Sequence, residues 1–161
     1  MRALFSAVFL VFVSGLSAAA QMAVGFGGVP HDPTQQIEVT SDSLRVDQTT
    51  GNAVFSGNVI VIQGDLRMAA EEISVIYAET DGAQQIREVV ATGGVMMTRG
   101  QDAAEGDRAD YSVTDSLVVV SGNVLITQGR TTVAGDRLNI DLTTGNGTVE
   151  GRVRTVLQPE E

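Results

Sequence analysis

Four acidic residues recur along this chain at a spacing that could bring carboxylates together: Asp42, Glu71, Asp107 and Asp136, separated by 29, 36 and 29 residues. Two carboxylates flanking a scissile bond can share general acid and base work, so this column is the first candidate for chemistry. Its regular recurrence argues instead for a structural role, such as bonding backbone at a strand bend in every unit. Other catalytic members are missing. The 161 residues include no cysteine and one histidine, His31, in a Pro-flanked stretch, so the usual nucleophile–base pairs cannot be assembled. The segments Asp47-Gln48-Thr49-Thr50-Gly51-Asn52 and Asp141-Leu142-Thr143-Thr144-Gly145-Asn146 offer oxygens to calcium. They lack the further acidic ligands and the twelfth-position Glu of a calcium loop, and read as plain turns. No catalytic residue, metal site or cofactor is expected.

The acidic column belongs to a longer repeat. Val54–Gly64 (V-F-S-G-N-V-I-V-I-Q-G) returns as Val119–Gly129 (V-V-S-G-N-V-L-I-T-Q-G), with weaker copies at Val90–Val95 and Thr148–Val153. The central glycines Gly57, Gly93, Gly122 and Gly151 are 36, 29 and 29 residues apart, a period that signals stacked supersecondary units. Apolar positions fall into columns at the same steps: Val46, Val75, Tyr111, Ile140; Val59, Val95, Val124, Val153; and Val61, Met97, Ile126, Thr155. Within a unit these columns lie two residues apart, which is the strand period, and Val, Ile and Thr suit a pleated surface. The expected class is all-β, one continuous domain over residues 37–157. A flexible lead-in over residues 21–36 and a tail over 158–161 flank it. A single helical turn is allowed within Ala78–Glu88, and Gln101–Asp107 reads as a polar loop.

Charge and leader narrow the setting. Ten arginines and no lysine face twenty Asp and Glu, a formal net charge of −10, which repels nucleic acid and anionic membranes at long range. Arg2, the apolar run Ala3–Val13 and Ala18-Ala19-Ala20 make a secretory signal peptide, residues 1–20, cut before Gln21. The apolar run is shorter than the twenty or so residues of a membrane span. Export is expected.

The order of these motifs resembles a known family. Ile37-Glu38-Val39-Thr40-Ser41-Asp42-Ser43-Leu44, then F-S-G-N-V-I-V-I-Q-G, then Met68-Ala69-Ala70-Glu71, then V-V-S-G-N-V is similar to the OstA-like proteins of lipopolysaccharide export, in particular their periplasmic bridge component. The likeness covers about Ile37 to Leu157. It implies an open, twisted β-jellyroll of stacked antiparallel strands, no enzyme activity, and acyl chains of lipopolysaccharide held in an apolar groove. It also implies head-to-tail self-association, and partners in the inner-membrane and outer-membrane components of the export machinery. Groove positions carried over by motif are Ile37, Val39, Tyr111 and Val113. The apolar columns add Val59, Val61, Val95, Met97, Val124 and Ile126. Oligomer edges are expected at Ile37 and Val39 on one side and at Val149 and Val153 on the other.

Function is thus expected to be that of a periplasmic, non-enzymatic lipopolysaccharide carrier. A secreted, self-associating structural β-repeat with a packed interior needs the same inward alternation, and periodicity alone does not separate the two. A β-helical hydrolase using two of the acidic residues is the third alternative, weakened by the missing site chemistry.

Overall fold

The structure, a computed structural model, describes residues 22–25 and 35–158. The expected signal peptide, His31 and the end of the tail lie outside the described residues. The elements, in chain order, are β1 (Met22–Gly25), β2 (Ile37–Thr40), β3 (Ser43–Val46), β4 (Ala53–Gln63), β5 (Leu66–Thr80) and β6 (Ala83–Arg99). They continue with β7 (Asp102–Ser112), β8 (Leu117–Gln128), β9 (Thr131–Asp141), β10 (Asn146–Glu150) and β11 (Arg154–Leu157). All belong to one antiparallel sheet of order β1-β10-β9-β8-β7-β6-β5-β4-β2, with β3 also on β4 and β11 also on β9. Among the described residues there is no helix.

What shapes this sheet is the repeated Gly-Asn step. At Gly57-Asn58 two residues of β4 oppose one of β5, and the register shifts between Ser56 and Val59. The same two-against-one count stands at Gly93-Gly94 on β6 and at Gly122-Asn123 on β8. All six residues have positive φ, between 47° and 82°, a backbone that glycine adopts freely and Asn tolerates. Such bulges bend a strand and sharpen its twist. Repeated in step across the sheet, they fold every long strand into two halves and the sheet into two arms. The first arm carries β2, the second half of β4, the first of β5, the second of β6, and so on to β11. The second arm carries β3, the complementary halves, β10 and β1.

The acidic column sits on this bend. A Cβ on Gly57 would come within 2.5 Å of Asp42 Oδ2, and Glu71, Asp107 and Asp136 stand likewise against Gly93, Gly122 and Gly151. Three of the carboxylates accept hydrogen bonds from the residue after their glycine. Asn58 Nδ2 donates to Asp42 at 2.8 Å, Asn123 Nδ2 to Asp107 at 2.8 Å, and the Arg152 amide to Asp136 at 3.3 Å. Spread singly along the bend, these groups hold the residues that make it, through an asparagine side chain twice and a backbone amide once.

Between the arms lies the core. Ile73, Val120, Leu138, Ile140 and Val149 are buried with almost no exposure, and burial of such side chains contributes about 1.5–3 kcal/mol each. Three expectations give way here. Ala78–Glu88 is no helical turn, since the seven extra residues lengthen β5 and β6 into a hairpin that turns at Asp81-Gly82, both at positive φ. Gln101–Asp107 is not a loop either. Its small residues alternate in register with β6 and β8 and continue as strand β7 from Asp102. The lead-in holds β1, paired to β10.

The two D-x-T-T-G-N segments fold as the same turn. The Asp47 carboxylate accepts from the Thr49 and Thr50 amides at 2.8 and 3.1 Å, and Asp141 accepts from those of Thr143 and Thr144 at the same distances. The Thr50 and Thr49 amides hold the Asp47 carboxyl below its ordinary value of 3.8. A carboxylate with a depressed folded-state pKa stabilises the fold above its unfolded pKa and loses that contribution as pH falls through the folded value. The stability gap between the parent and Asp47→Ala, measured by urea unfolding, should therefore be constant near neutrality and shrink below pH 3.8.

An apolar cavity between the sheet halves

Toward their tips the arms part and leave a cavity of about 270 Å³. From the first arm Ile37, Val39, Val61, Leu66, Met68 and Met97 line it, with Gln63 and Arg99 as the polar members. From the second arm come Phe55, Ile73, Val75, Tyr77, Ile86 and Val89, followed by Tyr111, Val118, Ile140 and Leu142. The alternation along each strand places them: Val39 stands opposite Val61 and Met68 opposite Met97, so their side chains share the inner face. Arg99 is buried in this wall, its Nε 3.0 Å from Asp65 Oδ2, which ties the end of β6 to the β4–β5 turn. Burial pushes the Tyr111 phenol above its ordinary value, so the side chain is neutral at physiological pH. Such a wall offers mainly apolar contact. It suits a hydrocarbon ligand.

Ile37, Val39, Val61, Met97 and Tyr111 therefore lie on the cavity wall, brought together from β2, β4, β6 and β7. Val59, Val95, Val124 and Ile126 do not reach it. They are buried in the core instead, Val59, Val95 and Val124 in the column next to the bend and Ile126 one column further out, level with Met97, which does line the cavity. Val113 also falls outside, because β7 ends at Ser112 and Val113 begins the turn into β8. The wall residues not expected from sequence, such as Ile73, Val75 and Tyr77, share the inward alternation of β5, with Val75 level with Tyr111 across the sheet. Their parity was legible; their place on an open wall was not.

The sheet's two ends differ from expectation on one side. Ile37 and Val39 are on β2, outside which no strand lies among the described residues, with β3 continuing the same edge along the second arm. Val149 is not at an edge: β10 lies between β9 and β1, and the side chain is fully buried. Val153 sits in the bend after β10, its amide donating to the Gly151 carbonyl at 2.7 Å. Further along this end β11 pairs β9 through one edge, and its Val156 and Leu157 are exposed.

Residues 38–146 match the family model described as the LptA/(LptD N-terminal domain) LPS transport protein. That stretch includes the bulges at Gly57, Gly93 and Gly122, most of the cavity wall and both D-x-T-T-G-N turns. The chain belongs to this lipopolysaccharide transport family. Among solved structures, the crystal structure of LptH has a TM-score of 0.70 and 22% sequence identity. That protein is the LptA-homologous periplasmic component of the lipopolysaccharide transport device of Pseudomonas aeruginosa, and the match covers 81% of this chain and 100% of LptH. The OstA-like, LptA-like jellyroll expected from the motifs is the fold observed. An uncharacterized protein of Rhizobium meliloti (strain 1021) is 27% identical over 89 residues, covering 52% of this chain. This chain spans 48% of that relative's length.

Proposed function

We propose that this LptA-like chain carries lipopolysaccharide across the periplasm, holding its acyl chains in the cavity between the arms and catalysing no reaction. The observation that carries this is the wall itself, an apolar slot opening between arm tips that a transport-family fold would otherwise have no reason to leave unfilled. Each methylene hidden from water there contributes about 0.8 kcal/mol. The acidic, lysine-free surface favours gripping the acyl chains and leaving the anionic sugar in solvent. The β2–β3 edge, outside which no strand lies among the described residues, supports head-to-tail self-association, since an open edge is a template for another strand and contacts that do not close make filaments. Such a filament would join the inner-membrane and outer-membrane components of the export machinery. The wall, by its openness, weighs against the packed structural repeat.

A photo-crosslinking residue at Val39 or at Tyr111, in cells, should give lipopolysaccharide adducts, and one at Thr49 in the exposed β3–β4 turn should give none. Absence of adducts at both inner positions in a folded protein would return the chain to the packed structural repeat.

A further inference from the structure

The two lips of the cavity differ in chemistry, and one row of the sheet makes the difference. At the tip of the first arm the register sets Gln63 opposite Leu66, Leu66 opposite Arg99, and Arg99 opposite Asp102. Asp102 in turn stands opposite Gln128, and Gln128 opposite Thr131. Gln63 is two residues from Val61, Leu66 from Met68 and Arg99 from Met97, all on the cavity wall, so the row shares the inner face. Polar side chains here follow the apolar ones nearer the bend. The opposite lip is made of Tyr77, Ile86 and Leu142, and no charged residue of the second arm lines the cavity among the described residues. One lip is polar and the other is apolar.

Arg99 is the charged residue of this wall. Its side chain is 8% exposed, and its Nε donates at 3.0 Å to Asp65 Oδ2, whose side chain is 60% exposed in the β4–β5 turn. The two partners have unequal stakes. A guanidinium held out of water needs an anion beside it, whereas a carboxylate that is mostly hydrated loses little by letting go. Asp102, the cross-strand neighbour of Arg99, accepts from Gln128 Nε2 at 3.4 Å. The Arg99–Asp65 pair is thus built for exchange: the arginine stays in the wall and its anion can be replaced. Phosphate is the anion best suited, because the planar guanidinium fork matches its oxygens in bidentate geometry.

We infer that Arg99 anchors the headgroup of the cargo, a phosphate of the bound lipid taking the place of the Asp65 carboxylate. This rests on the carrier reading proposed above and gives the lipid an orientation. With its phosphate on Arg99, the lipid lays its first methylenes against Leu66, Met97 and Met68, the nearest neighbours of Arg99 on the inner face. The sugar stays beyond the lip, in solvent. Asp65 makes the site selective. A tethered carboxylate acts at high effective concentration, so a free phosphate ion competes poorly with it. A phosphate that is itself tethered by acyl chains in the slot does not share that handicap.

The test uses the full chain with the photo-crosslinking residue at Val39, titrated with lipid A carrying its phosphates and with the same lipid after their removal. The parent should take the phosphorylated lipid about tenfold more tightly, the scale of a charge-assisted contact. Arg99→Gln should abolish that preference and leave the dephosphorylated lipid unaffected. Asp65→Asn should do the opposite, tightening the phosphorylated lipid severalfold, because the competing carboxylate is gone. A pair that merely latches the arm tip predicts otherwise: both substitutions break the latch and shift both lipids in the same direction, and that result would overturn the inference. Inorganic phosphate at the lipid's concentration should not compete. Loss of the preference in its presence would hand the site to the free ion and overturn the headgroup assignment. Equal affinity of the parent for the two lipids overturns it with no variant at all, so the answer does not depend on the folding of Arg99→Gln. In that case the anchor fails alone; adducts with neither lipid would remove the carrier reading as well.

Discussion

Glutamate at Ile37 or at Tyr111 should cut acyl loading at least tenfold while leaving the domain folded. Both positions face the cavity, from β2 on one arm and β7 on the other. A carboxylate there must either lose its hydration as the acyl chain arrives or keep its water and exclude the chain. Either way the cost is several kcal/mol, far more than the one or two methylene contacts surrendered. Ile37 is the safer position for folding, since it is 49% exposed and its carboxylate reaches water in the unloaded protein. Tyr111 is half-buried and partly shielded, so its substitution is expected to lower stability as well as loading. Thr49→Glu adds the same charge to an exposed turn and should load normally, which separates a local effect from the greater net charge. Loading is read as the yield of the Val39 crosslink to lipopolysaccharide, and folding by circular dichroism on the same samples. Normal loading in both glutamate variants would remove the cavity from the transport path.

The sequence carried the bends better than it carried the cavity. Gly57, Gly93, Gly122 and Gly151 recur in step because a positive φ at the bend admits few residue types, and the acidic column keeps step because each acidic side chain stands against its own glycine. Cavity and closed core, by contrast, use the same residues in the same alternation. Val59 and Val61 are two apart on β4 and both point inward, yet Val59 is sealed beside the bend and Val61 lines the open slot. What separates them is where the two arms meet, since Ile73 lies as near the bend as Val59 and yet lines the slot, and that is a property of three dimensions with no counterpart in hydropathy. The β1–β10 pairing was equally hidden. Met22–Gly25 is four residues between glycine-rich neighbours, too short for a period, and its partner lies at the far end of the chain.

Gly122→Val should be the most damaging single substitution on the bend, with a loss of roughly 3 kcal/mol or more in urea unfolding. Two penalties combine. Gly122 has φ of +77°, where a β-branched residue is a steric outlier, and its new Cβ would run into the Asp107 carboxylate that accepts from Asn123. Gly129→Ala isolates the first penalty, because Gly129 has φ of +55° and open space where its Cβ would go, and about 1 kcal/mol is expected there. Gly122→Ala should fall between the two. Combined with Asp107→Gly, which clears the obstructing side chain, its loss should be smaller than the sum of the single losses, as for residues in contact. Equal losses at Gly122 and Gly129 would mean that backbone conformation alone sets the bend and that the carboxylate is a bystander. Strict additivity with Asp107→Gly would mean the same. If the contact matters as argued, its recurrence at Gly57–Asp42 and Gly151–Asp136 makes the angle between the arms a property of the whole column. The width of the slot then rests on glycines that never touch its contents.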